Sequence, residues 1–298
     1  MIVKHEKDPD IREDGSELVN YDNQDFKIFS RRNYIIANQT FPMMVMHWHT
    51  DIEIIYIRKG SVSYQLNGRK VVMKKGEGII VNSRQMHCIQ TENEDCILDC
   101  LIFHPLVLCA TRYVENNFVL PIINNDYLPY IMLSDRIEWQ KRILHLTSEI
   151  FEWSENENCE MEQLSTLTML WKILYDNLDI NTEEVVDNNL EIVKKMIEYI
   201  HAEYAEQIKL EDICRQGGVG RTHCAKLFDK YTNMTPMEFL KNHRLSKAVE
   251  LLLDTDMSVS DISYEVGFSG PAYFTKSFRE KMGCSPLDYK KEILSRKI

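Results

Sequence analysis

At 298 residues the chain has room for about two domains, and its 44% hydrophobic content suits soluble units with buried cores. No apolar run approaches the ~20 residues of a membrane span, and the charged N-terminus MIVKHEKDPDIREDG does not read as a secretory signal, so a cytoplasmic location away from membranes is expected. The net charge of −11 excludes a uniformly basic surface, but residues 191–298 carry 17 Lys+Arg against 16 Asp+Glu, a net of +1, which leaves −12 on the remainder. Such asymmetry fits a nucleic-acid-contacting half joined to an acidic half. Eight cysteines without a C-x-x-C pair read as reduced thiols.

In chain order, residues 1–25 are polar and acidic and read as a flexible arm. From about 26 to 110, β-branched and aromatic runs alternate with turn signals. Ile52–Ile57, Ser61–Leu66, Val71–Lys74 and Gly78–Val81 are examples, and Asn67-Gly68 is a hairpin turn. They predict a small antiparallel β-domain, a barrel or a sandwich. From Ser134 the period turns helical. Ile137, Leu144, Ile150 and Phe151 mark one helix; Met161, Leu164, Leu167, Leu170, Trp171, Leu174 and Tyr175 mark a second. This pair either packs on the β-domain or joins two copies of the chain, and one surface can serve both. Residues 26–176 read as one domain and the polar stretch 177–190 as a linker.

The last stretch, 191–298, is all helical by pattern. Val193, Met196, Ile197, Ile200 and Tyr204 form one apolar face. Helices over about 210–216 and 221–231 flank the turn Gly217-Gly218. Thr235-Pro236-Met237-Glu238 combines an N-cap, a proline at the first position and an acceptor at N3, and opens a long helix through Leu252. Ser258-Val259-Ser260-Asp261 caps a short helix that Gly267 ends. A helix over about 271–282 follows, and Ser285-Pro286-Leu287-Asp288 caps the last. Fifty residues separate two copies of one pattern. Lys226-Leu227-Phe228 recurs as Lys276-Ser277-Phe278, and Thr235-Pro236-Met237-Glu238-Phe239 as Ser285-Pro286-Leu287-Asp288-Tyr289. A duplicated helix–turn–helix predicts two DNA-reading helices per chain.

The second helix of such a unit presents its N-terminal half to base edges. In the first copy Leu227 and Phe228 face inward, leaving Thr222, Ala225 and Lys226 outward; in the second, Phe274 and Phe278 leave Ala272, Thr275 and Lys276. Lysine donates to guanine, and threonine and alanine methyls meet a thymine methyl. Arg221, Lys241, Arg244, Lys247, Arg279, Lys281 and Lys290 are candidate phosphate partners. The run from about 193 to 290 resembles the AraC/XylS family of transcription regulators, most specifically in Asp261-Ile262-Ser263-Tyr264-Glu265-Val266-Gly267-Phe268, Tyr273-Phe274, Phe278 and Gly283-Cys284-Ser285-Pro286. The resemblance places the family's base-reading positions on the same six outward residues. It implies double-stranded DNA as a partner, control by a small-molecule effector such as a sugar or other metabolite, a homodimer, and contact with RNA polymerase. Gly220 stands where the family usually has a capping serine, Cys224 where it has leucine and Asn233 where it has glycine; asparagine tolerates the left-handed conformation.

In the β-domain, His47, His49 and Glu53, followed by Gly60, Gly76 and His87, give a pattern similar to that of cupins, which the sensor domains of this regulator family also resemble. On one strand, positions 47, 49 and 53 share a face, and His87 completes three imidazoles and a carboxylate. Three readings stay open: a divalent metal on all four residues, a polar pocket for an organic effector, or internal hydrogen bonding. Asn82 replaces the proline usual in the second cupin motif. A metal-bound cupin oxygenase or isomerase is the enzymatic alternative, and fusion to a double helix–turn–helix argues against it. The expected architecture is α+β: a cupin-like β-barrel with a helical dimerisation segment, then the all-α double helix–turn–helix.

Overall fold

β-branched and aromatic residues favour extended strands whose side chains point alternately to two faces, and in the first half of the chain the central strands bury both. The computed structural model describes residues 12, 16–21, 23–35, 46–91, 96–125, 127–154, 156, 158–180 and 188–296. The strands are β1 (Ile28–Ile35), β2 (Ile52–Lys59), β3 (Ser61–Leu66), β4 (Arg69–Lys74), β5 (Glu77–Val81), β6 (His87–Thr91), β7 (Ile97–Phe103) and β8 (Tyr130–Ser134). Antiparallel ladders sort them into a five-stranded sheet, β1-β7-β2-β5-β8, and a three-stranded sheet, β4-β3-β6. Ile55, Ile57, Ile79, Val81 and Leu98 from the first meet Val62, Tyr64, Leu66 and Met73 from the second in a shared core. The expected β-domain is thus built as two facing sheets. The β3–β4 hairpin turns at Asn67 and Gly68, with φ of 47° and 78°, the double left-handed requirement of its turn type.

The other face of the large sheet is covered by helices. Short helical turns, α1 (Arg112–Val114) and α2 (Leu120–Ile123), precede β8; α3 (Glu138–Trp153) and α4 (Glu160–Asn177) follow it. Ile143, Leu146, Ile150 and Phe151 of α3 and Leu167, Leu170, Trp171 and Leu174 of α4 share a core with Ile52, Ile54, Ile80, Leu101 and Phe103. Trp171 also donates its indole N–H to the Phe118 carbonyl at 2.9 Å. The helix pair therefore packs on the β-domain, while Met161 and Met169 of α4 stay exposed on its outer side. β8 departs from the sequence expectation, which starts the helical region at Ser134. Residues 130–134 instead pair with β5, from Tyr130 opposite Val81 to Ser134 opposite Glu77. Four apolar residues in a row carry no alternation from which a strand could be read.

The second compact unit is helical: α5 (Asn188–Glu203), α6 (Leu210–Gln216), α7 (Arg221–Thr232), α8 (Pro236–Asp254), α9 (Val259–Glu265), α10 (Pro271–Met282) and α11 (Pro286–Arg296). α5 begins inside the stretch expected as linker; residues 181–187 of that stretch lie outside the described residues. The caps sit where the sequence places them. Thr235 Oγ1 accepts the Glu238 N–H at 3.2 Å, Ser258 Oγ that of Asp261 at 3.1 Å, and Ser285 Oγ that of Asp288 at 3.3 Å. Asn233 and Gly283 close α7 and α10 in the left-handed region, with φ of 54° and 80°. Leu245, Ala248, Val249 and Leu252 of α8 share a core with Ile262, Val266, Phe268, Phe274, Phe278 and Tyr289. No helix among the described residues is long and apolar enough to cross a membrane.

Candidate functional site

α7 and α10 repeat one another in what they bury. Cys224, Leu227 and Phe228 are buried on α7, and Phe274, Ser277 and Phe278 on α10. The opposite faces carry Thr222, Ala225 and Lys226, and Ala272, Thr275 and Lys276; all are exposed except the half-buried Thr275. Pro271, Ala272, Thr275, Lys276, Arg279 and Glu280 line a shallow open concavity. Both helices start on glycine, Gly220 and Gly270, without a side-chain cap, whereas Thr235 and Ser258 cap α8 and α9. Arg221 is exposed and pairs with Glu211. The Lys276 ammonium is 3.9 Å from Glu280 Oε1, a surface pair of little strength.

Besides Arg221, three more of the basic residues assigned to phosphate have other partners. Arg244 donates from Nε to the Tyr204 carbonyl at 2.7 Å and from Nη2 to the Glu206 carbonyl at 2.6 Å, and is half-buried. Its guanidinium ties α8 to the turn after α5. Lys290 donates to the Thr255 carbonyl at 2.8 Å, and Lys247 pairs with Glu250 at 3.0 Å. A helix-surface arginine looks the same in sequence whether its acceptor is a phosphate or a carbonyl forty residues away.

The structure brings together all four residues of the histidine cluster. Glu53 lies on β2 and His87 opens β6, but His47 and His49 precede β2 and a bend at Thr50 and Asp51 interrupts the strand expected to run through them. His47 instead forms an isolated antiparallel bridge with His87, each N–H donating to the other's carbonyl at 3.1 and 2.8 Å. The imidazole centroids of His47 and His49 stand 4.4 and 5.0 Å from that of His87. Glu53 Oε2 is 2.9 Å from His87 Nε2 and 3.5 Å from His49 Nε2. It also accepts the Tyr64 hydroxyl at 3.0 Å. Burial works against charge on the Glu53 carboxyl, but the charges and hydrogen bonds of His87 and His49 outweigh it and hold the group well below the usual carboxylate range. For His49 burial is likewise outweighed, by Glu53 and then Glu17, and the imidazole is raised. For His87 burial, reinforced by the His47 charge, wins and lowers it.

Sequence reasoning missed three members. Glu17 belongs to the stretch expected as a flexible arm, yet its N–H donates to the Trp48 carbonyl at 2.8 Å and its carboxylate lies 3.3 Å from His47 Nε2. Tyr21 donates to Asp51 Oδ1 at 2.5 Å. Residues 1–11, 13–15 and 22 of that stretch lie outside the described residues. Tyr64, almost wholly buried in a strand of alternating pattern, is the one member whose need for an acceptor has a sequence signal. Asn82 anchors the chain beside the site, donating to the carbonyls of Ile122 and Leu128 at 2.8 and 3.0 Å and accepting the Ser83 N–H at 2.8 Å. A proline there would lack these bonds. The eight cysteines are all free thiols, and burial pushes Cys88 up to about 12, so it stays protonated and inert.

Comparison with known proteins covers both units. Residues 34–157 match the family described as AraC-like ligand binding domain, and residues 213–292 a helix–turn–helix domain family. The uncharacterised HTH-type transcriptional regulator YdeC of Bacillus subtilis is 32% identical over 253 residues, covering 83% of this chain and 86% of the relative. The HTH-type transcriptional activator RhaR of Mannheimia succiniciproducens is 22% identical over 86% of this chain and 90% of its own. Among solved structures, unsaturated fatty acid bound ToxT from Vibrio cholerae aligns over 89% of this chain and 93% of its own, at 14% identity and a TM-score of 0.46. On the two family matches and the 32% identity to YdeC, the chain belongs to the AraC family: it is a DNA-binding transcription regulator with a ligand-binding domain ahead of its helix–turn–helix reader.

Proposed function

We propose that the chain reads duplex DNA with α7 and α10, using Thr222, Ala225 and Lys226 on the first and Ala272, Thr275 and Lys276 on the second. The observation that carries this is the matched pair of faces: fifty residues apart, the same positions are left outward while the phenylalanines pack inward. The lysines donate to guanine O6 and N7, and the methyls of alanine and threonine meet thymine methyls. Arg221, Arg279, Lys241 and Lys281 serve phosphates and set the register. Arg244 is left out of this set because its donors serve the fold.

The domains divide as an arm over 1–25, an effector-taking and dimerising domain from 26 to the end of α4, a linker that gives way to α5 at Asn188, and the reader from there on. The effector is a small molecule bound at His47, His49, Glu53 and His87. Two chains pair through the exposed methionine side of α4, and RNA polymerase meets the DNA-bound form in the cytoplasm. Occupancy changes DNA affinity only by the effector's differential affinity for the two states of the regulator. The protein catalyses no reaction.

The decisive test is Lys276→Ala on an operator selected from random duplexes. Loss of one base contact costs about 1–3 kcal/mol and is confined to one position of the site. An equal loss on every sequence reassigns Lys276 to phosphate. Light scattering on Met161→Glu/Met169→Glu tests the dimer face; an unchanged mass removes α4 from it.

A further inference from the structure

A convergence of sulfur atoms lies in the core of the helical unit. Met196 of α5, Cys214 of α6 and Cys224 of α7 are all buried there. The Cys224 thiol donates to Met196 Sδ at 3.6 Å. It also faces the Cys214 thiol: burial first, then the hydrogen bond and charge of Cys214, push Cys224 up to about 12. Gly217, which ends α6, leaves the thioether its place, since a Cβ there would stand 2.9 Å from Met196 Sδ. Three helices thus bring three sulfurs together, and one of them sits at a position where the family usually has leucine.

We propose that Met196, Cys214 and Cys224 bind one soft monovalent metal ion, Cu(I), between the helices of the first helix–turn–helix. Thiolate and thioether donors select Cu(I). Zinc takes cysteine, histidine and carboxylate ligands, and magnesium and calcium take oxygen. Two sulfurs on one ion at bonds of about 2.3 Å stand about 3.8–4.0 Å apart at tetrahedral or trigonal angles. The 3.6 Å between Cys224 Sγ and Met196 Sδ is already close to that spacing. Ligation releases the two thiol protons to solvent and Met196 gives a lone pair; the copper stays Cu(I), so no electron is transferred. The centre then carries one net negative charge. Cys224 stands in the first turn of α7, at the positive end of that helix's dipole.

The consequence for DNA rests on the reading of α7 as a base-reading helix. Cys224 lies between Thr222 and Ala225 in sequence, buried where they are exposed. An ion joining it to α5 and α6 fixes how those outward residues are turned, on a helix whose N-terminus no side chain caps. Cu(I) therefore favours the state of the reader that engages the operator half under α7, and operator DNA in turn raises the affinity for Cu(I).

The test uses the full chain, reduced and anaerobic, given Cu(I) in competition with a chromophoric Cu(I) chelator strong enough to strip single thiols. The expected result is one Cu(I) per chain kept from the chelator, with only sulfur neighbours in its X-ray absorption spectrum. Cys224→Leu and Cys214→Ala each lower the affinity at least about 100-fold, and Met196→Leu about tenfold. Copper loading tightens operator binding by wild type about tenfold and leaves that of Cys224→Leu unchanged. Should a cysteine variant fail to fold by circular dichroism, the wild-type competition and absorption spectrum decide. Failure of folded wild type to retain Cu(I) overturns the site. So does undiminished retention by folded Cys224→Leu, or nitrogen or oxygen neighbours in the spectrum. Retention with no change in operator affinity overturns the coupling to DNA. The two readings fail separately: operator binding without Cu(I) retention sinks the sulfur site alone, and Cu(I) retention by a chain that binds no duplex sinks the DNA reading alone.

Discussion

Replacing Gly267 by alanine tests how the second helix–turn–helix is fixed in its unit. Gly267 has a φ of +80°, and a Cβ built there stands 2.6 Å from the Ala205 carbonyl oxygen and 2.7 Å from that of Tyr204. The left-handed conformation alone costs an alanine about 1–2 kcal/mol. The approach adds a second cost, because backbone has to move. The Tyr204 carbonyl that would be displaced accepts Arg244 Nε at 2.7 Å, next to the Glu206 carbonyl that takes Nη2. A hydrogen bond from a charged donor contributes about 1.5–3 kcal/mol, so Gly267→Ala should destabilise the helical unit by about 2.5–5 kcal/mol. Gly283 is the control. Its φ is also +80°, but a Cβ at that position meets nothing within 4 Å, so Gly283→Ala should cost only the conformational part, about 1–2 kcal/mol. Urea unfolding of the full chain, followed by circular dichroism through the transition of the helical unit, gives both values. If the two variants agree to within about 1 kcal/mol, the claimed coupling of Gly267 to the Arg244 anchor is wrong.

Other consequences are smaller or depend on conditions. Gly220 begins α7 with extended backbone, no side-chain cap and open space for a Cβ, so Gly220→Ser should raise stability by a few tenths of a kcal/mol; a fall in the urea midpoint would show that the N-terminus is constrained otherwise. Burial, with the charges of His201, Lys247 and Arg244, holds the His243 imidazole well below its ordinary 6.5. The unfolded chain takes up that proton as pH falls through 6.5 and the folded chain does not. This contribution to stability is therefore whole above that pH and declines below it, by up to about 1.4 kcal/mol per pH unit. Comparison of urea midpoints at about pH 7.5 and about pH 5.5, one unit either side of the ordinary value, for wild type and His243→Phe checks the sign; an equal slope in both proteins rules His243 out.

How much is legible in the sequence follows from how local each determinant is. The reader's helix boundaries are written in residues that act within one turn. Thr235, Ser258 and Ser285 each take an N–H three residues on, and Asn233 and Gly283 accept a backbone conformation that other residues resist. Phe228, Phe274 and Phe278 are buried because helical spacing puts them on one face. The histidine cluster is legible as a set of residue types but not as a shape. The spacing of His47, His49 and Glu53 suggests one strand, whereas the chain bends at Thr50 and Asp51, where the Ser83 hydroxyl donates to the Thr50 carbonyl at 2.8 Å. β8 is hidden because an unbroken apolar run fits a strand and a buried helix equally.

What stays illegible has one physical cause: the partner is distant in sequence and leaves no period. Arg244 and Glu17 mislead in opposite directions for this reason. On an amphipathic helix, Arg244 has the composition of a phosphate contact, yet its acceptors are carbonyls at 204 and 206. Glu17 sits in a polar, acidic stretch with the composition of a solvated arm, yet it bonds to Trp48 and faces two imidazoles. A charged side chain is cheap in water and expensive in a protein unless paired. Its composition alone therefore says only that a partner is needed when it is buried. The burial itself is decided by the sheets and helices that the apolar residues build, and that is why the functional chemistry of this chain is positioned by residues whose own patterns say nothing about function.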